Sequence, residues 1–285
     1  MSDWQRYSDL HQPHTVVGDL RVLPQVYSPQ LENHRDVLVW LPPSYSSGER
    51  RYPVIYMHDG QNLFDAQTSY SGEWQVDETL TTLAPEGLEA IVVGLPNAGQ
   101  ARSLEYNPYH FAEMPDLMGR GADYMRFLVE TIKPLIDTDF RTLPDAAHTA
   151  IAGSSMGGLI SLYGFLMYPQ VFGLCGAFST AYWFGDRKLT HDVLNRATGH
   201  GKVYLDVGTR EGDIFDGRWS TWKVRSDDPH ESYVEGVLEL RDALLKQGYR
   251  SGENLLYVEE AEAPHHESAW TRRLPSALRF LLGNG

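Results

Sequence analysis

The sequence has almost no cysteine and no long apolar run. Cys175 is the single cysteine among 285 residues, so no disulfide can form within the chain. It lies in an apolar run, where a small buried side chain is expected rather than a nucleophile. No stretch is long and apolar enough to cross a bilayer, and the first ten residues lack the apolar core of a secretory signal. These absences predict a soluble, cytoplasmic protein without a membrane partner.

Positive charge is scarce as well. The chain has 24 Lys and Arg against 38 Asp and Glu, which gives a formal net charge of −14. Such a chain repels phosphate backbones and anionic lipid surfaces, so nucleic acid is not an expected partner. Internal repeats, linkers and low-complexity tracts are also missing, and residues 1–285 are therefore expected to form one α/β domain.

Nucleotide-binding and metal-binding signatures are missing too. The chain contains no G-x-x-x-x-G-K-[ST], no dinucleotide fingerprint, no H-E-x-x-H and no Cys/His cluster. The adjacent pair His265 and His266 is the one metal-binding alternative, and it is the weaker interpretation of those residues. We therefore expect neither a cofactor nor a metal ion.

Strand-like and helix-like patterns alternate along the chain. Two runs at 20–27 and 35–41 predict an antiparallel hairpin, whereas later apolar runs are continuous, as in parallel strands covered on both faces. A helix is predicted to start at Ser232 through the capping box S-x-x-E. The expected fold is a mostly parallel sheet with helices on both faces and an antiparallel N-terminal hairpin. Further predicted strands lie at 53–57, 89–95, 171–178, 202–208 and 254–259, with another in the short apolar run that ends at Gly153, and further helices lie at 123–136, 186–196 and 269–282.

A glycine-rich turn stands between one of these strands and the next helix. Ser155 is the central serine of G-x-S-x-G in Ala152-Gly153-Ser154-Ser155-Met156-Gly157-Gly158. A nucleophile elbow needs small flanking residues because the strand reverses sharply into the helix and exposes the serine hydroxyl. The context of strand and helix thus favours Ser155 as a nucleophile over a plain glycine-rich turn.

A serine nucleophile needs a base and an acid that orients the base. In the chain order serine, acid, histidine, the acid follows a strand and the histidine follows the last strand. Glu211 and Asp213 are the candidate acids, with position slightly favouring Glu211. His265 and His266 are the candidate bases.

Two backbone amides are expected to stabilise the oxyanion. Met156 follows the nucleophile, and its amide lies at the start of a helix. The second donor is expected in the loop after the strand at 53–57, with Gln61 preferred and Gly60 as the alternative. His58 precedes the nucleophile in the chain and is interpreted as a structural residue.

Two long connections, residues 97–121 and 209–231, carry aromatic and arginine side chains. Connections of such length are usually functional, so we expect them to line the substrate site. The predicted substrate-binding residues are Arg102 and Tyr106 in the first connection, Trp219 and Trp222 in the second, and Trp183, which lies outside both.

The chain resembles the esterases of the esterase D type, which include feruloyl, acetylxylan and enterochelin esterases, S-formylglutathione hydrolases and mycolyltransferases. The likeness is strongest at residues 56–64, at the elbow 152–158 and at 168–173. It implies an α/β-hydrolase fold and acyl-ester chemistry without a cofactor. It also implies Ser155 as nucleophile, Met156 and Gln61 as oxyanion donors, Glu211 from G-x-x-[DE], and His265, which stands five residues before Trp270. His266 departs from the family pattern, where Asp or Asn usually stands.

The sequence therefore predicts a serine carboxylesterase acting on a small-molecule ester. An acyltransferase or a siderophore-lactone esterase would use the same triad, and a non-catalytic esterase-like binding module is the alternative from another class. The natural ester and the oligomeric state are not predicted.

Overall fold

The described residues of the computed structural model are 2–111, 114–215 and 226–283. A nine-stranded sheet has the strand order β1-β2-β3-β5-β4-β8-β9-β10-β11, and β6 pairs with β7 separately. The strands are β1 Gln5–Arg6, β2 Asp19–Ser28, β3 Asn33–Leu41, β4 Val54–His58, β5 Ile91–Leu95, β6 His110–Phe111, β7 Met114–Met118, β8 Thr149–Ser154, β9 Leu174–Phe178, β10 Lys202–Arg210 and β11 Leu255–Pro264.

Pairing direction divides the large sheet into two parts. β1, β2, β3 and β5 pair antiparallel, whereas β5, β4, β8, β9, β10 and β11 pair parallel. The mostly parallel sheet and its antiparallel N-terminal hairpin are thus confirmed. The continuous apolar runs in β4 and β5 arise because every residue of both strands is buried.

Helices cover both faces of this sheet. They are α1 Tyr7–Leu10, α2 Val76–Leu83, α3 Arg102–Tyr106, α4 Gly121–Arg126, α5 Lys133–Asp139, α6 Met156–Met167, α7 Phe184–Arg196, α8 Pro229–Lys246 and α9 Glu267–Leu282, and a π-helical segment, Phe127–Ile132, joins α4 to α5. Successive strand residues point to opposite faces. In β4, Tyr56 packs in the core that includes α4 to α8, whereas Ile55 and Met57 pack in the core that includes α2 and α9.

The start of α8 differs from the predicted start. The helix begins at Pro229, and the carboxylate of Asp228 accepts hydrogen bonds from the amides of His230 (2.7 Å) and Glu231 (3.2 Å). Ser232 lies fully buried inside the helix, so the predicted cap at Ser232 is wrong. The helix starts at Pro229 because the Asp228 side chain can cap the unpaired amides of the first turn and Pro suits the first helical position.

The parallel strands bring distant parts of the chain to one edge of the sheet. Residues that follow the carboxyl ends of parallel strands meet there, and this is where α/β folds place their ligands. The residues at these strand ends are Asp59 after β4, Ser155 after β8, Ser179 after β9, Glu211 after β10 and His265 after β11. Among the helices of the described ranges, none combines the length and the apolarity that a membrane crossing requires.

Candidate active site

Ser155 occupies a sharp turn between β8 and α6. Its backbone has φ 57° and ψ −119°, a conformation that costs a non-glycine residue about 1–3 kcal/mol. Gly153 permits the turn, since a Cβ there would lie 2.8 Å from the carbonyl carbon of Gly157. The Ser155 amide donates to the Phe178 carbonyl (2.9 Å), and the Ser155 carbonyl accepts from the Ala181 amide (3.0 Å). This is the geometry of strand, turn and helix that a nucleophile elbow requires.

Glu211 and His265 contact each other directly. His265 Nδ1 lies 2.9 Å from Glu211 Oε2. Glu211 is fully buried, and its other oxygen accepts hydrogen bonds from the Ser179 hydroxyl (2.7 Å) and the Gly208 amide (2.6 Å). A carboxylate held in this way favours the His265 tautomer with its proton on Nδ1. The basic lone pair is then on Nε2.

Asp213 and His266, the alternative acid and the alternative base, contact other residues. The side chain of Asp213 is 88% exposed, and its carboxylate lies 3.6 Å from His230 Nε2. His266 Nδ1 accepts a hydrogen bond from the Ser268 amide (3.1 Å) and so caps α9. The structure therefore pairs Glu211 with His265 and places Asp213 and His266 elsewhere.

Ser155 and His265 lie at the same sheet edge without a hydrogen bond between them. With the described residues, Ser155 Oγ forms no hydrogen bond. Tyr233 contacts residues near both side chains. Its hydroxyl donates to the carbonyl of Ser179 (2.6 Å), the residue after Phe178, to which the Ser155 amide is bonded. Its ring centre lies 5.6 Å from that of His265. When no substrate is bound, the hydrogen bond between a serine and its base often has a long donor–acceptor distance.

A buried hydrogen-bond network holds the Glu211 oxygen that does not contact His265, and its residues are not among the predicted site residues. Ser179 Oγ accepts hydrogen bonds from Trp270 Nε1 (2.8 Å) and Arg273 Nη2 (3.1 Å) while it donates to Glu211. Arg273 is 4% exposed and lies 3.2 Å from Asp206 Oδ2. Burial raises the pKa of Asp206 to about 7, even though the charge of Arg273 opposes that shift. One feature of the sequence does indicate this network: Arg273 is a positively charged residue on the apolar face of α9.

The amides of Gln61 and Met156 lie at two adjoining turns. Asp59 has a left-handed φ of 56°, and Gly60 follows so close to β5 that an added Cβ would lie 2.7 Å from its backbone. A Cβ on Gly157 would lie 3.5 Å from Asp59 Oδ2, so the loop after β4 touches the first turn of α6. Within the described residues neither amide donates to a protein acceptor. Two such amides can stabilise a negatively charged oxygen.

Arg102 and Tyr106 both hold the turn at Asp59. Arg102 Nε and Nη2 donate to the two carboxylate oxygens (2.7 and 2.8 Å), and Asn97 Nδ2 adds a third bond (2.6 Å). Burial opposes ionisation of Asp59, but the charge and hydrogen bonds of Arg102 bring its pKa below the ordinary value. The fully buried Tyr106 accepts a hydrogen bond from the Asp59 amide (3.0 Å). For both residues substrate contact stays a prediction, and Tyr106 would have to become exposed.

Trp183 lies inside an aromatic cluster near the candidate base. It is 6% exposed and packs edge-on against Phe215 (4.9 Å between ring centres) and Tyr233 (5.3 Å). Tyr233 separates it from His265. Trp219 and Trp222 lie outside the described residues, so their substrate-binding roles stay predictions.

His58 is buried at the end of β4. Its Nδ1 lies 2.7 Å from the Tyr124 hydroxyl, and burial lowers its pKa to about 3. A histidine held neutral and bonded within the core has a structural place, as its position before the nucleophile predicts.

Comparison with known proteins gives a consistent family and fold. The family model described as "Putative esterase" matches residues 28–281. The uncharacterized protein YbbA of Bacillus subtilis is 26% identical over 254 residues, covering 88% of this chain and 93% of that protein. The siderophore enterobactin esterase of Emericella nidulans is 23% identical over 195 residues, covering 61% of this chain and 63% of that protein. The structure of siderophore hydrolase EstA from Aspergillus nidulans matches with a TM-score of 0.72 at 18% identity, covering 93% and 94% of the two chains. The chain therefore belongs to the "Putative esterase" family and is an ester-hydrolysing enzyme with an α/β-hydrolase fold.

Proposed function

We propose that the chain is a serine carboxylesterase that works through an acyl-enzyme on Ser155. In this proposal His265 is the general base, Glu211 orients it, and the amides of Met156 and Gln61 stabilise the oxyanion. The observation that carries the proposal is the 2.9 Å contact between Glu211 and His265 at the sheet edge where Ser155 turns. A carboxylate, a histidine and a strained serine at one edge are the groups that serine activation needs.

In the acylation step, Ser155 Oγ attacks the ester carbonyl carbon and its proton passes to His265 Nε2. The imidazolium then has protons on both nitrogens, and Glu211 Oε2 stabilises it through the proton on Nδ1. The negative oxygen of the tetrahedral intermediate accepts hydrogen bonds from the two amides, and one such donor lowers the barrier by about 3 kcal/mol. Collapse breaks the bond to the alkoxy oxygen, which takes the proton from Nε2 and leaves as an alcohol.

In the deacylation step, water attacks the acyl carbon and gives its proton to His265 Nε2. The carboxylic acid leaves, and Ser155 Oγ regains the proton. An alcohol that replaces water at this step gives acyl transfer with the same residues. The ratio of acid to new ester formed in the presence of an added alcohol therefore distinguishes a hydrolase from a transferase.

The proposed substrates are small-molecule carboxylic esters. Two buried aromatic rings pack against the candidate base, Tyr233 at 5.6 Å and Trp270 at 5.2 Å between ring centres from His265, and in this proposal they fix the position of the imidazole. Two similar proteins, a siderophore enterobactin esterase and a siderophore hydrolase, favour a siderophore lactone as the second candidate. Rates on a trilactone, hydroxycinnamoyl esters, acylated sugars and thioesters rank these classes.

Ser155→Ala tests the nucleophile. We expect it to lower kcat for a small nitrophenyl ester by about a thousandfold or more, as for other triad serines, and to abolish labelling by a fluorophosphonate. Ser154→Ala is the matched control, because Ser154 is the adjacent buried serine and should stay labelled. Full activity and labelling in Ser155→Ala would refute the proposal and would revive a non-catalytic binding role.

The two histidines are separated by a second pair of variants. His265→Ala should be almost inactive, because Ser155 then has no base. His266→Ala should keep most of its activity and lose about 1 kcal/mol of stability, since it removes the cap of α9. The opposite activities would move the base to His266.

A further inference from the structure

Three carboxylates converge at the start of α2, in a region that the proposed mechanism does not use. One oxygen each from Glu73, Asp77 and Glu78 lies within 4.8 Å of the others. The chain around 15–17 closes over this group: the Thr15 hydroxyl donates to Glu73 Oε2 (3.3 Å), and the Val17 amide donates to Asp77 Oδ2 (2.6 Å). Two segments distant in sequence therefore meet at the cluster.

Part of this negative charge is buried without a partner. Asp77 is 0% exposed, and among the described residues neither its Oδ1 nor the buried Oε2 of Glu78 has a hydrogen-bond donor. Among the ion pairs of the described residues, none joins Glu73, Asp77 or Glu78 to Lys, Arg or His. An unpaired buried carboxylate is strongly unfavourable, so a group of them needs protons or a cation.

Proximity makes joint ionisation of these groups unfavourable. A bound cation would remove this repulsion, because carboxylate oxygens are the ligands that hard divalent cations prefer.

The ligand set suits calcium better than magnesium. Ca²⁺ takes about six to eight oxygen ligands at about 2.3–2.6 Å in flexible geometry, and several protein carboxylates can supply them together. Mg²⁺ binds oxygen at about 2.1 Å, demands a near-regular octahedron and usually keeps several waters, so a cluster of protein carboxylates suits it less well.

We propose that Glu73, Asp77 and Glu78 bind a calcium ion that fastens residues 15–17 to the start of α2. The neighbouring backbone connects this point to both sides of the active site. The Trp74 amide donates to the Asn62 carbonyl beside the oxyanion loop (2.8 Å), and the Trp74 carbonyl accepts from Thr271 Oγ1 of α9 (3.1 Å). The ion is thus a stabilising ligand and takes no part in the ester chemistry.

The test is thermal unfolding of protein freed of metal by EDTA and desalting, with CaCl₂ or MgCl₂ then added. At a hundredfold excess over Kd, Ca²⁺ should raise the midpoint by about 5 °C, and calorimetric titration should give one site. Mg²⁺ should raise it less. Asp77→Asn should abolish the rise, although its amide oxygen can still accept from Val17. Glu49→Gln, at an exposed carboxylate, should leave the rise intact.

An absent Ca²⁺ effect in the unmodified chain would overturn the proposal, as would an equal rise in Asp77→Asn. A metal-insensitive chain in which Asp77→Asn melts higher would show that the carboxylates share a proton instead. If Asp77→Asn fails to fold, Glu78→Gln takes its place with the same expected loss of the rise. The result is independent of Ser155→Ala, because the readout is stability.

Discussion

Replacing Ser179 by alanine tests whether the buried network behind Glu211 sets the activity of His265. The Ser179 hydroxyl is the shared partner of Glu211, Trp270 and Arg273. Alanine removes its bond to the carboxylate and leaves the Trp270 and Arg273 donors without this acceptor. Because Ser179 is fully buried and loses a single heavy atom, the change acts on hydrogen bonding far more than on packing.

The size of the effect follows from the charge of the acceptor. A hydrogen bond to a charged group contributes about 1.5–3 kcal/mol. If Glu211 is less firmly held, much of this energy is lost when His265 becomes positively charged, and each 1.36 kcal/mol is roughly a tenfold change in rate. We expect kcat to fall roughly 10- to 100-fold with KM nearly unchanged, and the free energy of unfolding to fall by about 2–3 kcal/mol.

The assay is hydrolysis of a nitrophenyl ester together with urea unfolding. Ser161→Ala is the matched control, since Ser161 is equally buried but donates to the Gly157 carbonyl (2.6 Å) within α6. In a Glu211→Gln background, Ser179→Ala should cost much less, because the acceptor is no longer charged. A folded Ser179→Ala chain with full kcat, or an equal loss in both backgrounds, would refute the reasoning.

Two further predictions concern the end of β4 and the loop that follows it. Arg102→Met leaves the buried carboxylate of Asp59 without its cation and should cost about 2–4 kcal/mol in urea unfolding. Asp59→Asn in the same chain should restore most of that stability, and a raised KM that persists in the double variant would instead indicate substrate contact. His58 has a folded pKa of about 3 against an ordinary 6.5, so only the unfolded chain takes up a proton as the pH falls between these values. Stability should drop by roughly 4–5 kcal/mol over that window, and His58→Gln should flatten the slope, whereas an unchanged slope would contradict the assignment.

The sequence predicts those features that depend on position along the chain. Ser155, Glu211 and His265 each follow a strand, and apolar periodicity locates the strands, so the candidates can be proposed before any contact is known. The elbow serine is the clearest case, because its glycines are required by local geometry alone.

Contacts between distant segments are not visible in the sequence. Ser179 and Arg273 are 94 residues apart and meet only because β9 and α9 pack together. In the same way, the positions of Arg102 and Tyr106 in the connection 97–121 predict side chains that face the substrate. The fold turns both toward Asp59, and nothing in their local pattern shows this.

The strand order also determines when activity is gained during folding. Ser155 follows β8, whereas Glu211 follows β10 and His265 follows β11, the outermost strand on that side. The proposed triad is therefore incomplete until β11 has paired with β10. In the proposed mechanism, a nascent chain that ends before β11 carries Ser155 without its base, and we expect it not to turn over esters. After dilution from denaturant, the return of esterase activity should therefore time the docking of β11 and α9 rather than the collapse of the central sheet.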